Sequence, residues 1–232
     1  MSSKIQTQAH PNQLIETTAI REEHSDGASD KQLWIPFEDV YLADDNAIFQ
    51  GVDVAVIRAA LRAYLQRYYS DVTINITRLL RFKLAGRAWL KKITVLSSVY
   101  YATKNREHRR ANYHVFFTSP YKNSQGITHI AWYVGSVMWF FKLQFQGTSF
   151  FLALVRLTKS AGTTSHSRVI PHVQKTMPRE KPKYAVISLD DDIQHQVGLV
   201  KQAASGFKYS VILPEGSFDT EDLKDCGKWM HI

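Results

Sequence analysis

Residues 130–157, IAWYVGSVMWFFKLQFQGTSFFLALVRL, constrain this chain more than any other segment. The run is too long and too aromatic to be a linker. Lys142 and Arg156 break it with charge, whereas a membrane-spanning helix needs about 20 apolar residues without central charges. Trp139, Phe141, Leu143 and Phe145 alternate with Met138, Phe140, Lys142 and Gln144, which is the period of a strand. Gln146-Gly147-Thr148 interrupts the pattern, and Phe150, Leu152 and Leu154 resume it. The run therefore predicts two long antiparallel strands joined by a tight turn, with one face partly wet.

The flanking sequence extends that reading. Tyr113, Val115 and Phe117 begin a period-two pattern, and residues 120–126 (PYKNSQG) read as a turn. Residues 158–183, rich in Ser and Thr with Gly162, Pro171, Pro178 and Pro182, read as a long loop. Residues 184–189, 193–200 and 209–213 read as short strands, with Gly198 a position where a strand bends. Asp190-Asp191-Asp192 reads as a turn between them. Several short strands with turns between them suggest a small, partly open barrel.

Before residue 113 the pattern is different. Val54, Ile57, Leu61, Tyr64, Leu65 and Tyr68 recur at three- and four-residue spacing, so residues 52–69 predict an amphipathic helix with Asp53 as its N-cap. Arg58, Arg62 and Arg67 are expected off that stripe. Residues 71–102 fit either state: Ile76, Leu79, Leu80 and Leu84 suit a helix, while residues 72–76 and 91–100 suit strands. Residues 104–110 read as a basic loop. The whole is an α+β chain: an acidic disordered tail over 1–32, a basic helical accessory segment over 33–112, an antiparallel barrel over 113–218 and a short tail over 219–232.

Charge is the second constraint. Residues 1–55 hold 3 Lys and Arg against 10 Asp and Glu, net −7, whereas residues 56–112 hold 13 against 2, net +11. A block this basic beside an acidic segment suggests a polyanion-binding surface. A single cysteine, Cys226, excludes a disulfide framework and a cysteine-built zinc site, and points to a reducing compartment, nucleus or cytosol. The first thirty residues carry no signal-peptide pattern.

Taken in order, Trp132-Tyr133-Val134-Gly135-Ser136-Val137, Phe140-Phe141, Phe150-Phe151-Leu152-Ala153-Leu154-Val155, Ile193-Gln194-His195-Gln196-Val197-Gly198-Leu199-Val200 and residues 209–218 resemble the C-terminal region of fungal transposon-derived proteins of the Kyakuja-Dileera-Zisupton type. The resemblance covers roughly residues 52–218 and rests on hydrophobic, structural motifs. It implies a bromo-adjacent-homology-like (BAH-like) β-barrel preceded by an accessory segment over 61–113. The catalytic acids of such transposases lie in a separate upstream region, and nothing here stands in for them. A detached, non-catalytic tail is the expectation. The Ser/Thr-rich stretch at 158–176 departs from the family pattern.

Two basic clusters are the candidate site. Arg78, Arg81, Lys83, Arg87, Lys91 and Lys92 form the first, and Lys104, Arg106, Arg109 and Arg110 the second. Phosphate contact needs cations on one surface, and Tyr68, Tyr69, Phe82, Trp89, Tyr100 and Tyr101 are interleaved where they could stack on bases. The alternative is that these charges only solvate a face with the aromatics beneath. Residues 104–110 also match a nuclear import signal. The implied partners are DNA or RNA, with a histone tail or another protein docking on the barrel, and no membrane; the competing reading is a protein–protein scaffold without nucleic acid.

Other constellations are weaker. Trp132, Tyr133, Trp139 and Tyr184 could be drawn as a cation-binding cage, but strand aromatics usually fill cores. Asp190, Asp191, Asp192 and His195 could be drawn as a hard-metal site, but adjacent aspartates point in different directions. Nine histidines lack metal-ligand spacing, and there is no nucleophile elbow or glycine-rich phosphate loop. A dispersed active site is the remaining enzymatic alternative, and no cofactor is implied.

Overall fold

The computed structural model describes residues 32–33, 38–42, 44, 46–68, 80–90, 94–105, 112–122, 125–164, 167–177, 179–189, 191–202 and 207–212. The first part of the chain carries strands β1 (Gln32–Leu33), β2 (Glu38–Leu42), β3 (Ile48–Phe49) and β4 (Val52–Asp53), then helix α1 (Val54–Tyr68). Next come β5 (Leu80–Ala85), β6 (Arg87–Leu90), β7 (Thr94–Ser97) and helix α2 (Val99–Lys104). The remainder is all strand: β8 (His114–Lys122), β9 (Thr128–Phe145), β10 (Thr148–Leu157), β11 (Lys159–Thr164), β12 (Ser167–Gln174), β13 (Tyr184–Ser188), β14 (Ile193–Gln196), β15 (Gly198–Lys201) and β16 (Lys208–Ile212).

The expected hairpin is present as β9 and β10. Gln146 and Gly147 both take positive φ, 50° and 81°, and Thr148 pairs with Phe145. Two positive-φ residues in a two-residue loop match the right-handed twist of the strands they join. Alanine at Gly147 would carry a Cβ into the left-handed region, so Gly147→Ala is expected to cost about 1 kcal/mol, read from the urea midpoint.

β9 organises everything else. On one edge it pairs with β10, which pairs in turn with β13. On its other edge it pairs with β8 along residues 128–136 and with β5 along residues 140–142. β14 extends the sheet beyond β8, and β2 extends it beyond β5, giving seven antiparallel strands. A second sheet of four strands runs in the order β11-β12-β16-β15. The chain passes between the sheets at Val197, where β14 ends and β15 begins, so the bend expected at Gly198 is where the strand changes sheet. The described strands are mostly antiparallel β and form open paths, with no ring closed among them.

A bulge sets the packing. Leu154 faces Trp139 but Val155 faces Val137, leaving Met138 unopposed. The extra residue switches the faces of β9, as bulges do. Above it, Trp139, Phe141 and Leu143 pack with Ile57, Leu61 and Leu65 of α1. Below it, Tyr133 and Val137 join Phe140 in a second core with Phe117 and Ile187. The opposite face there places Trp132 and Val134 against Val173 and Val211 of the smaller sheet. Residues 131–141 are all buried, so the expected wet face is absent along this stretch and β9 meets solvent only at its ends, at residues 128–130 and from Lys142 onward.

Several other expectations change. Among the described residues the basic segment is helical only in α1 and α2, because Leu80-Arg81-Phe82-Lys83-Leu84 alternates and Phe82 and Leu84 reach the α1 core as strand residues. Val99 and Tyr100 leave the strand expected for them: Ser98 accepts from the Tyr101 N–H at 3.1 Å and caps α2. Lys104 closes that helix rather than opening a loop. Residues 120–122 continue β8; Pro120 is tolerated because its pairing to β14 ends near Thr118, leaving one edge without a ladder bond to lose. The loop expected at 158–183 contains the β11–β12 hairpin, which β16 holds by pairing with residues 172–174. Arg58, expected off the apolar stripe, is buried. The disordered tail expected over 1–32 ends one residue early, because Gln32 pairs with Trp89 in β1; residues 1–31, the tail at 219–232 and the strand at 72–76 lie outside the described residues. No helix among the described residues is long and apolar enough to cross a membrane.

Candidate nucleic-acid interface

Of the ten candidate cations, Arg78, Lys91, Lys92, Arg106, Arg109 and Arg110 lie outside the described residues. The other four divide into two groups. Arg87 is half-buried: its guanidinium lies 4.9 Å from the centre of the Tyr101 ring and donates to the Tyr101 hydroxyl at 3.2 Å. Lys104 sits 5.5 Å from the Tyr100 ring and donates to its hydroxyl at 3.3 Å. These contacts use Tyr100 and Tyr101 to hold cations rather than to offer open stacking faces. Arg81 and Lys83 belong instead to β5, in the large sheet.

Register places a second, unforeseen cation beside Lys83. Lys83 is the cross-strand partner of Lys142, and Lys142 is the partner of Phe151. On the far side β2 contributes Asp39, opposite Lys83, and Tyr41, opposite Arg81. Further along the same face Ala85, Phe140 and Ala153 are buried in the second core. At Lys83 that face opens: Lys83 and Gln144 are exposed, Lys142 and Phe151 half-buried, and Tyr41 is 55% exposed. The Lys142 ammonium stands 5.3 Å from the centre of the Phe151 ring. The reverse face of these strands, with Phe82, Leu84, Phe141 and Leu143, is sealed by α1.

The arrangement places two lysines and two rings on an open sheet face, with Asp39 opposite Lys83 on the neighbouring strand. Cations and rings on one sheet face are what the phosphates and bases of a single strand can meet. Sequence density pointed to Lys83 and Arg81. Lys142 was legible only as an interruption in an apolar run, because its proximity to Lys83 depends on a pairing across about sixty residues of chain.

The other constellations resolve differently. Trp132, Tyr133 and Trp139 are buried, and the indole N–H groups of both tryptophans find no hydrogen-bond partner among the described residues. They fill cores, and only Tyr184 is half-exposed. Asp192 accepts from the Ser188 N–H at 2.7 Å and Asp191 accepts from the Ser188 hydroxyl at 3.0 Å, closing the β13–β14 turn. No group of three or more His, Cys, Asp or Glu that could hold a metal occurs among the described residues.

One unanticipated pair is Ser136 and His114, both buried, with Oγ 3.0 Å from Nδ1. Burial pushes the His114 imidazole down to about 3, and the Lys175 and Arg156 charges add to the effect. An imidazole that reluctant to take a proton is a poor general base at neutral pH, so this pair lacks the tuning that activates a serine.

No family model, curated protein or solved structure matches the chain.

Proposed function

We propose that this chain is a non-catalytic nucleic-acid interaction module, attached to its ligand electrostatically. The observation that carries the reading is the Lys83–Lys142 pair on an open sheet face, with Phe151 opposite Lys142, Asp39 opposite Lys83 and Tyr41 one pair further along the same face. Sheet faces that combine cations with aromatic rings suit single strands, whose bases can stack while phosphates meet the ammonium groups. The transposon-derived, chromatin-associated and nuclear parts of the reading rest on the sequence resemblance. So does the finer fold assignment, in which the two sheets joined at Val197 make a partly open, BAH-like barrel able to dock a protein partner such as a histone tail.

The test is fluorescence anisotropy of the full chain with labelled single-stranded DNA and RNA across a salt series. Lys83→Glu combined with Lys142→Glu is expected to weaken binding at least tenfold. The salt slope should shallow by about 1.4, at roughly 0.7 for each phosphate of a single strand that the two lysines no longer neutralise. Tyr41→Ala should cost about 1–3 kcal/mol with little change in slope. Unchanged affinity and slope in the charge-reversed variant, with circular dichroism like the parent's, would overturn the reading and favour a protein–protein scaffold.

A further inference from the structure

A cavity of about 270 Å³ lies where β9 and β10 meet the segment that follows β12. Ser136, Arg156, Lys175, Met177 and Pro182 are among the residues that line it. Arg156 is the cross-strand partner of Ser136, so the hydroxyl and the guanidinium belong to adjacent strands of the same pairing. Lys175 arrives from the other sheet, with its ammonium 4.5 Å from the centre of the Tyr209 ring.

The charge in this cavity is unbalanced. Among the described residues Glu180 is the one carboxylate in its lining, and it is already committed: it pairs with Lys159 and accepts from the Met177 N–H at 3.0 Å. Arg156 and Lys175 are left facing one another. Burial, with the Arg156 charge second, pushes the Lys175 ammonium below its usual range. The same two cations help keep His114, behind Ser136, uncharged. A neutral His114 that carries its proton on Nδ1 donates to Ser136 Oγ, which frees the Ser136 O–H to donate into the cavity. Two cations and a hydroxyl that converge without a counter-charge match an oxyanion, and a guanidinium beside an ammonium suits a phosphate dianion.

The volume is larger than a bare phosphate needs. Met177 and Pro182 add apolar surface to the lining, beside Thr158 and Thr176. We propose that this cavity binds a small phosphate monoester, with the phosphate between Arg156, Lys175 and Ser136 and an apolar body against Met177 and Pro182. The site is separate from the Lys83–Lys142 face, and the proposal stands whether or not that face binds nucleic acid.

Isothermal titration of the full chain with phenyl phosphate, inorganic phosphate and phenol tests this. Phenyl phosphate should saturate one site at least tenfold more tightly than inorganic phosphate, and phenol should not bind. Arg156→Gln and Lys175→Gln should each weaken phenyl phosphate at least tenfold, while Lys83→Glu with Lys142→Glu should leave it unchanged. Arg156 is exposed and Lys175→Gln removes a repulsion, so both variants should melt no lower than the parent in phosphate-free buffer. A 5′-phosphorylated oligonucleotide should not compete; competition would overturn the small-molecule assignment. Failure of phenyl phosphate to bind at millimolar concentration, or equal binding by both cavity variants, would overturn the site itself.

Discussion

Gly135→Ala is expected to destabilise the protein by about 3 kcal/mol, at the upper end of what overpacking usually costs. A Cβ at this position would stand 2.9 Å from the Arg156 carbonyl oxygen and closer still to Cγ1 of Val155. The carbonyl is part of the β9–β10 ladder, so it cannot swing aside as a flexible side chain could. Val155 is fully buried and has no space to retreat into. Urea unfolding should show the midpoint falling with little change in slope. Gly198→Ala provides the control, because its Cβ would meet Ile212 at an ordinary 3.7 Å. A loss at Gly135 no larger than the loss at Gly198 would contradict this account of the packing.

Acid should weaken the fold through His114. The folded imidazole is held down to about 3, whereas the unfolded chain takes up the proton near 6.5. Below pH 6.5 the unfolded state is therefore the better proton binder, and stability falls as pH drops toward 3. The full slope is about 1.4 kcal/mol per pH unit, so acidification from pH 6.5 to 4.5 should remove about 2–3 kcal/mol, before most carboxylates titrate. His114→Gln, which can still hydrogen-bond Ser136, should flatten that part of the profile while being less stable at pH 8. An unaltered acid slope in His114→Gln would assign the loss to other groups.

The β9–β10 hairpin was legible because its signals are local: alternation sets the strand period, and Gln146-Gly147 supplies the turn chemistry. The α1 stripe was legible for the same reason, since spacing alone brings Val54, Ile57, Leu61 and Leu65 together. Local signals failed where pairing partners decide. Residues 159–174 are rich in Ser, Thr and Gly and read as a loop, yet β16 gives part of that segment a ladder. The alternation at 80–85 competed with a helical reading until β2 and β9 supplied neighbours on both sides. The wet face predicted for β9 required an unbroken period, and the unopposed Met138 breaks it. Among site residues, charge density found Lys83, but Lys142 enters only through register. Arg156 and Lys175 come together because β12 returns beside the end of β10, a meeting that no spacing in the sequence announces.

The unopposed Met138 also bears on how the molecule comes apart. One strand serves three apolar clusters, so there is no seam along which a part could unfold while the rest survives. Loss of β9 order would dissolve the Lys83–Lys142 face and the Arg156–Lys175 cavity together. The slowest-exchanging backbone amides should then lie along β9 and its two neighbours and share one opening free energy, making both surfaces dependents of a single cooperative unit.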